Sequence, residues 1–376
     1  MVLDEGTLGS RVRDARERSG LKQGEVAQLV GLDRTVVNKI ESGTRRVTAL
    51  ELAAIATALG VRMSSFFEEP TPALVSHRSH QGLDVADSRI DRILADAAAD
   101  TEFLMTLAPG ELDGSSWQSR SPAEPLERPD SGAASEDLAR RARSVLGLDE
   151  VEPIDDLVAR FSEIGLLVFA VDLGPDTADA GTILLRQGGV SLVNSHNKIG
   201  RRRLAAAHEL GHYLVADEYT IDWRVFDHNT DIEARLDRFA RALLLPSPGM
   251  AAEWSRLSAH HELRETVVLL GSHFRVDMAT LARRLQELGH ISADEAAFVR
   301  RVTTTQADIV DFGLRVPADL AGTTVPIPFQ KAVLHAFRNE QISRERALEL
   351  LRGTFADDDL PAPRTRREDE IWNFVA

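Results

Sequence analysis

Two histidines and a glutamate in the middle of the chain are spaced as in a helical metal site. His208, Glu209 and His212 lie in the alanine-rich run Leu204–Leu214, which has the composition of an α-helix. Residues four positions apart lie on the same face of a helix, so both imidazoles could point at one ion. Zinc prefers such ligands in a tetrahedral arrangement, and a catalytic zinc keeps one position for water. Glu209 could take a proton from that water.

A third protein ligand must come from another part of the chain, and a second helical run offers one. The residues from Asp231 to Leu245 have helical spacing and end before Pro246. Glu233 and Asp237 lie one turn apart, so Glu233 could complete the site while Asp237 accepts a hydrogen bond from a ligating histidine. Two histidines on one helix face could also be ordinary core or surface residues. Other candidates for the third ligand are Asp217, Glu218, Asp227, His228 and Asp231.

The composition limits the kind of metal site and the class of protein. The 376 residues include no cysteine, so thiolate zinc sites and disulfides are excluded. The length favours two or three domains. No apolar run approaches membrane-spanning length and no secretory leader follows Met1, so we expect a cytoplasmic protein with no membrane partner. The net charge of −15 argues against nonspecific nucleic-acid binding by the whole molecule, but not by one basic face.

The first 70 residues form a different kind of unit, a series of short amphipathic segments separated by glycines. Asp33 is placed to cap the third helix, whose Val37 and Ile40 would face inwards. Two short helices joined by a tight turn, here at Gly31, are typical of a helix-turn-helix, which presents its second helix to the major groove of DNA. Arginines and lysines give this block a slight positive balance, which suits phosphate contact. A small helical bundle that binds protein is the alternative.

Residues 21–46, LKQGEVAQLVGLDRTVVNKIESGTRR, resemble the XRE family of phage Cro-type helix-turn-helix proteins. The resemblance implies that the first residue of the second helix contacts phosphate and that three residues of the third helix face base edges. We therefore expect a double-stranded DNA operator as partner, bound by a homodimer, because single helix-turn-helix units usually occupy paired half-sites. The residues expected to bind DNA are Gln23 at phosphate, Arg34, Thr35 and Lys39 at base edges, and the neighbouring Asn38, Arg45 and Arg46.

The rear part of the chain, from about residue 136 to 246, resembles the ImmA/IrrE family of zinc metallopeptidase domains. The shared features are the motif AAAHELGH, the later pattern ExxxDxFAxxLLLP, and apolar strand-like segments before them. Many members carry asparagine where this chain has Asp237, and either side chain can accept the expected hydrogen bond. The resemblance implies Zn²⁺ as cofactor, with His208, His212 and Glu233 as its ligands and Glu209 as general base.

The segments around these motifs predict the elements that position them. Leu166–Val171 has the composition of a strand, and Gly181–Arg186 with Gly189–Asn194 predicts a hairpin, so we expect a small sheet beside the helix that holds His208. An edge strand of such a sheet could bind an extended peptide by main-chain hydrogen bonds. Further along the chain, one long helix is expected over Glu253–Phe274.

These features together predict a mostly helical α+β chain of four parts. The first is an all-α helix-turn-helix domain over residues 1–70, and the second is a helix with a flexible linker over 71–135. A zincin-like metallopeptidase domain with a small β-sheet follows over 136–300. The last part is a helical C-terminal extension over 301–376, which could dock a partner.

Two functions from different classes fit this organisation. The first is a DNA-binding transcriptional regulator, linked to stress or to a mobile element, that cleaves a protein substrate or senses a signal through its zinc domain. The rival is an antitoxin that represses its operon and neutralises a cognate toxin by binding, without proteolysis. The His-Glu-x-x-His motif favours a working metal site, although a motif does not establish turnover.

Overall fold

The computed structural model describes residues 4–19, 21–59, 61, 63–67, 75–78, 87–107, 110, 112, 125–175, 177–185, 187–216, 229–315 and 318–362. Contacts divide the chain into two compact units, Met1–Ala73 with Gln81–Ala95 and Leu74–His80 with Asp96–Ala376. The predicted fold class, α+β and mostly helical, is confirmed. The predicted divisions at residues 70, 135 and 300 stay predictions. Within the described ranges, no helix combines the length and apolarity needed to cross a membrane.

The first unit contains a bundle of short helices. The apolar side chains that recur at helical spacing meet in one core, which includes Val12, Val26, Ile40 and Ile55. The second helix ends because Gly31 adopts a left-handed conformation with φ at 68°, which a side chain would strain. The helices are α1 (Glu5–Arg18), α2 (Gln23–Val30), α3 (Arg34–Glu41) and α4 (Ala49–Leu59), followed by a 3-10 turn at Met63–Phe66.

The rest of the chain supplies four strands and twelve further helices in the described ranges. The strands are β1 (Val75–Arg78), β2 (Leu166–Val171), β3 (Ala180–Leu184) and β4 (Gly189–Asn194). The helices are α5 (Asp87–Leu107), α6 (Gly132–Val145), α7 (Leu157–Ser162), α8 (Ile199–Leu214), α9 (Asn229–Leu244), α10 (Ser247–Ser258), α11 (Leu263–Phe274), α12 (Met278–Glu287), α13 (Ala293–Val299), α14 (Gln306–Asp311), α15 (Ile327–Arg338) and α16 (Arg344–Leu350).

The strands form one sheet in the order β1-β3-β4-β2. β2 has the predicted bounds and runs parallel to β4, while β3 and β4 form the predicted antiparallel hairpin. β1 was not predicted, and it pairs antiparallel with β3. At the opposite edge, Ala170 of β2 forms an antiparallel bridge with Thr324, with N–H to oxygen distances of 3.1 and 2.9 Å between the two backbones. The pairing of β1 with β3 and the bridge from Ala170 to Thr324 therefore both join segments that lie far apart in the sequence.

α8 packs between the sheet and α9 in the main core of the second unit. Ala205, Ala206 and Ala207 are fully buried, and their small side chains let the helix lie close to its neighbours. Near the start of α8, the buried Arg203 donates to Asp319 at 2.5 Å and to the carbonyl of Ile154 at 2.6 Å. Such charge-assisted hydrogen bonds fix the helix in register against two distant segments.

The predicted single helix over Glu253–Phe274 is wrong, because the structure has two helices there. α10 ends at Ser258, and the amides of His260 and His261 both fold back to the carbonyl of Leu257. Glu262 then adopts an extended conformation and begins α11. No proline or glycine lies at this break, so the usual sequence signals of a helix end are missing.

Candidate metal centre and nucleic-acid surface

α8 holds the candidate metal ligands in the interior of the second unit. His208, Glu209 and His212 are only 1%, 0% and 2% exposed, and polar side chains are seldom buried without a partner or a function. The Nε2 atoms of the two histidines lie 3.1 Å apart. The two rings therefore point at one place, as the four-residue spacing predicts.

α9 brings two carboxylates to this place. The carboxylate of Glu233 lies 3.0 Å from Nε2 of His208 and 3.4 Å from Nε2 of His212. One turn later, Oδ1 of Asp237 lies 2.9 Å from Nδ1 of His208, on the outer side of the ring. Both acidic residues thus take the positions that their one-turn spacing predicts.

The two helices lie close together because their contact is made at a glycine. A Cβ atom on Gly211 would lie 2.9 Å from Cδ1 of Phe239 and 3.0 Å from Cδ2 of Leu236, and both of these side chains are fully buried. Contacts that short are repulsive in a packed core. The motif His-Glu-Leu-Gly-His therefore supplies the close approach of α9 as well as the histidines.

The three donors fit a zinc ion in their chemistry and their spacing. One atom each from His208, His212 and Glu233 lies within 4.8 Å of the others. Tetrahedral bonds of about 2.0–2.2 Å would separate ligand atoms by about 3.3–3.6 Å, and the shortest separations here, 3.0, 3.1 and 3.4 Å, are close to that range. Two nitrogens and a carboxylate leave a fourth position for water, while Asp237 would orient the ring of His208.

Five further acidic or histidine residues were candidates for the third ligand, and none displaces Glu233 in the part of the chain that is described. Asp231 is exposed, and its carboxylate lies 3.9 Å from Arg235. It does not belong to the group of donors around the two histidines. The remaining four candidates lie outside the described residues: Asp217, Glu218, Asp227 and His228.

Glu209 is held by the sheet through one of its two oxygens. The hydroxyl of Thr182 donates to Oε2 at 2.7 Å and lies 2.6 Å from the hydroxyl of Ser191. Oε1 is buried and has no hydrogen-bond partner among the described atoms. Since a buried carboxylate oxygen without a donor is costly, this oxygen is suited to receive a proton from a bound water. Sequence reasoning missed Thr182 and Ser191, whose only signal was a polar side chain inside an apolar strand.

The charges of the site are set by contacts among its own residues. Burial lowers the pKa of His208, but hydrogen bonds to Asp237 and Glu233 outweigh it and raise the pKa above its ordinary value. Burial raises the pKa of Glu233, but hydrogen bonds from His208 and His212 outweigh it and hold the pKa far below its usual range. Glu233 is therefore a carboxylate at neutral pH, which is the form that binds a metal ion.

Partly buried ion pairs fix α9 against its neighbours. Arg284 of α12 is fully buried and donates to Glu136 of α6 at 2.8 Å. Arg238 of α9 lies 3.3 Å from the same carboxylate, and Arg241 of α9 donates to Glu287 at 2.7 Å. Burial raises the pKa of Glu136, but the two arginines outweigh it and lower the pKa. The helix that carries Glu233 is thus clamped from two sides.

The candidate nucleic-acid surface is the outer face of α3 in the first unit. Val37 and Ile40 are buried in the core, and Glu41 is buried beside Arg16 at 2.6 Å. The predicted base-contacting residues lie on the opposite face. The exposed positions of this face are Arg34, Thr35, Asn38 and Lys39.

Of the three remaining predicted DNA contacts, Gln23 touches this face, whereas the side chains of Arg45 and Arg46 pair with α4 and α1. Gln23 at the start of α2 donates to Asn38 at 3.2 Å and to Glu41 at 2.8 Å, so α2 and α3 are joined at the predicted surface. Arg45 donates to Glu51 at 2.9 Å. Arg46 pairs with Glu5 at 2.7 Å, and its side chain is 89% exposed, so that pair contributes little to stability.

Two family models match separate parts of the chain. The helix-turn-helix family matches residues 12–66, which include the exposed face of α3. The IrrE N-terminal-like domain family matches residues 162–286, which include the sheet from β2 to β4 and the helices that hold His208, Glu209, His212 and Glu233.

The relatives that are similar to this chain correspond to its first part. The control protein C.MunI of Mycoplasma sp is 34% identical over 63 residues, which are 16% of this chain and 85% of that protein. A solved structure of the restriction-modification controller protein C.AhdI from Aeromonas hydrophila is 37% identical and covers 16% of this chain and 94% of that one, with a TM-score of 0.16.

Proposed function

Since the chain belongs to the helix-turn-helix family in its first part and carries an IrrE N-terminal-like domain behind it, we propose that this DNA-binding regulator is also a zinc-dependent peptidase. The similarity of the first part to a control protein supports a role at an operator. Arg34, Thr35 and Lys39 would contact base edges and Gln23 a phosphate, with Asn38, Arg45 and Arg46 as further DNA-binding residues, in a homodimer on paired half-sites. Stress or a mobile element would supply the signal that starts cleavage of a protein substrate.

The proposed chemistry divides the work among four side chains. When bound by His208, His212 and Glu233, zinc would lower the pKa of a water molecule and polarise a peptide carbonyl. Glu209 would take the proton of that water through Oε1 and return it to the leaving amine. Thr182 would keep the other oxygen of Glu209 in place, and the carboxylate beside the outer nitrogen of His208 would hold that ring in its ligating orientation.

One observation carries this proposal: the donor atoms of His208, His212 and Glu233 lie 3.0–3.4 Å apart in a buried site. The test uses purified full-length protein. Metal analysis should find one zinc per chain in the wild type and in Glu209→Gln, and none in His212→Ala. New protein amino termini in a cell lysate, detected by amine labelling, should form about 10²–10⁴-fold more slowly with Glu209→Gln.

A matched control separates this result from a general charge effect. Glu150 is exposed, so Glu150→Gln should leave both the zinc content and the cleavage rate unchanged. A wild-type protein without zinc, or cleavage that survives Glu209→Gln, would overturn the peptidase proposal.

A second candidate is an antitoxin whose rear part binds a toxin without cutting it. The observation that favours it is apolar exposure on the C-terminal extension, where Val310 is 71% and Ile327 is 59% exposed, since exposed apolar side chains suit partner binding. An antitoxin of this kind should neutralise its toxin equally well with Glu209→Gln. Loss of neutralisation in that variant would favour the peptidase.

A further inference from the structure

The strand β3 is the part of the sheet that touches the candidate catalytic base. Its Thr182 holds Glu209 through a hydrogen bond of 2.7 Å. One side of β3 pairs with β4, and the other side is the outer edge of β3. A segment that pairs with this outer edge runs past Thr182, the residue that holds Glu209. The outer edge is therefore the natural place for a peptide that is to be cut.

This outer edge is paired with residues that come from outside the matched domain. Val75–Arg78 form β1, in which Ser76 is opposite Thr182 and His77 is opposite Gly181. β1 also lies next to α8. The IrrE N-terminal-like match covers residues 162–286, whereas β1 lies in the sequence between the helix-turn-helix domain and α5. Among the described strands, only β1 comes from this connecting stretch.

An extended peptide commonly binds a protein by adding a strand to a sheet edge, with main-chain hydrogen bonds that depend little on its sequence. The sheet has two ends, and the end at β2 is already bridged by Thr324. Within the described part of the chain, an added strand that is to lie beside Thr182 must therefore take the position that β1 occupies on β3. β1 has the antiparallel direction and the four-residue length of such an added strand.

We infer that the outer edge of β3 is the peptide-binding edge of the proposed peptidase, and that residues 75–78 occupy it as a built-in competitor. This inference rests on the proposed function and names its substrate class: an extended segment of a partner protein, bound antiparallel to β3 beside Glu209. A tethered segment competes at an effective concentration on the order of millimolar. A partner segment must therefore displace β1 before it can be cut.

The test removes the main-chain pairing of β1 without touching the metal site. N–H groups of neighbouring strand residues point to opposite sides, so one of the two N–H groups of Ser76 and His77 faces β3. Proline has no N–H, and the double variant Ser76→Pro with His77→Pro removes the donor whichever residue supplies it. The matched control is Ser76→Ala with His77→Ala, which keeps both N–H groups.

Two measurements on full-length, metal-free protein decide the question. Hydrogen exchange of the amides in residues 180–184 should be faster in the proline variant than in the wild type and the alanine control. A labelled synthetic peptide with the sequence ALVSHRSHQ, residues 73–81, should bind the proline variant at least about tenfold more tightly than the other two proteins, as measured by fluorescence anisotropy.

The outcomes separate this inference from the peptidase proposal. Equal hydrogen exchange in the three proteins, or equal peptide affinity, would overturn the inference. The expected differences arise only if β1 occupies the outer edge of β3 in the wild type. Neither measurement uses zinc or cleavage, so tighter peptide binding by the proline variant would support the inference even if metal analysis found no zinc. Conversely, Glu209-dependent cleavage at the same rate in wild type and proline variant would overturn the inference and leave the peptidase proposal in place.

Discussion

The surface of α3 and the metal centre around α8 use polar side chains in opposite ways. On α3, Arg34 and Lys39 are exposed, and the helix is held by the apolar residues of its other face. On α8, His208 and Glu209 are buried, and they are held by other polar residues from distant segments. A surface of the first kind can change its side chains at little cost to folding. A site of the second kind links its function to the stability of the surrounding core.

The largest expected effect tests that link at the contact between α8 and α9. Phe239 is fully buried against Gly211, so Phe239→Ala should lower the free energy of unfolding of the second unit by about 3–5 kcal/mol. It should also lower zinc content, because α9 carries Glu233. Hydrogen exchange of the α8 and α9 amides in a urea series measures the free energy of unfolding. Metal analysis measures the zinc content.

The control for this change is another phenylalanine in the same unit. Phe298 is 42% exposed, so Phe298→Ala should cost less than about 1 kcal/mol and leave zinc content unchanged. If both variants lost zinc equally, the packing of α9 would not be what positions the third ligand.

A smaller effect is expected at the ion pairs that clamp α9. Because Arg284 and Arg238 lower the pKa of Glu136, its carboxylate contributes stability above the ordinary carboxyl pKa, and that contribution is lost as pH falls through the lowered pKa. Glu136→Gln should therefore reduce the free energy of unfolding by about 1–3 kcal/mol at pH 7. When urea unfolding is measured at successively lower pH, the difference in unfolding free energy between wild type and Glu136→Gln should become smaller. A difference that grew with acidity would contradict the assignment.

The smallest effect on stability is expected on the outer face of α3, where the effect on binding is large. Arg34→Ala should change the free energy of unfolding by no more than about 0.5 kcal/mol. If Arg34 faces a base edge, binding to a duplex from upstream of the gene should weaken by about 1–3 kcal/mol in electrophoretic titration. The control is Arg300→Ala, which removes an exposed charge from the second unit and should leave DNA affinity unchanged.

Sequence reasoning succeeded where the signal lies within one element. The bounds of β2 follow from local periodicity and turn residues. Asp33 takes the predicted N-cap position of α3, but its side chain makes no capping hydrogen bond. The pairing of α8 with α9 was also predictable, because one-turn spacing in each helix places the donors on one face. The prediction that Glu233 lies near the two histidines agrees with the structure, while its role as a ligand stays a prediction.

The missed features depend on contacts between distant residues. Val75–Arg78 is too short to have a periodic pattern, and it is a strand only because β3 offers an edge to pair with. Thr182 holds Glu209, and Ser191 is hydrogen-bonded to Thr182. Both lie inside apolar strands, where a polar side chain more often pairs with a neighbouring strand than with a catalytic residue. The break between α10 and α11 has no proline or glycine to mark it. In each case the cause lies in the folded neighbours and not in the local sequence.

The bridge between Ala170 and Thr324 has a practical consequence for anyone who wishes to work with the rear domain alone. A fragment that stops near residue 300 would keep all of residues 162–286 but would lose the partner of Ala170 at the outer side of β2. Unprotected sheet borders recruit other chains and favour aggregation. Fragments intended for crystallisation or calorimetry should therefore retain the chain through residue 362, although the match to the IrrE N-terminal-like domain family ends at residue 286.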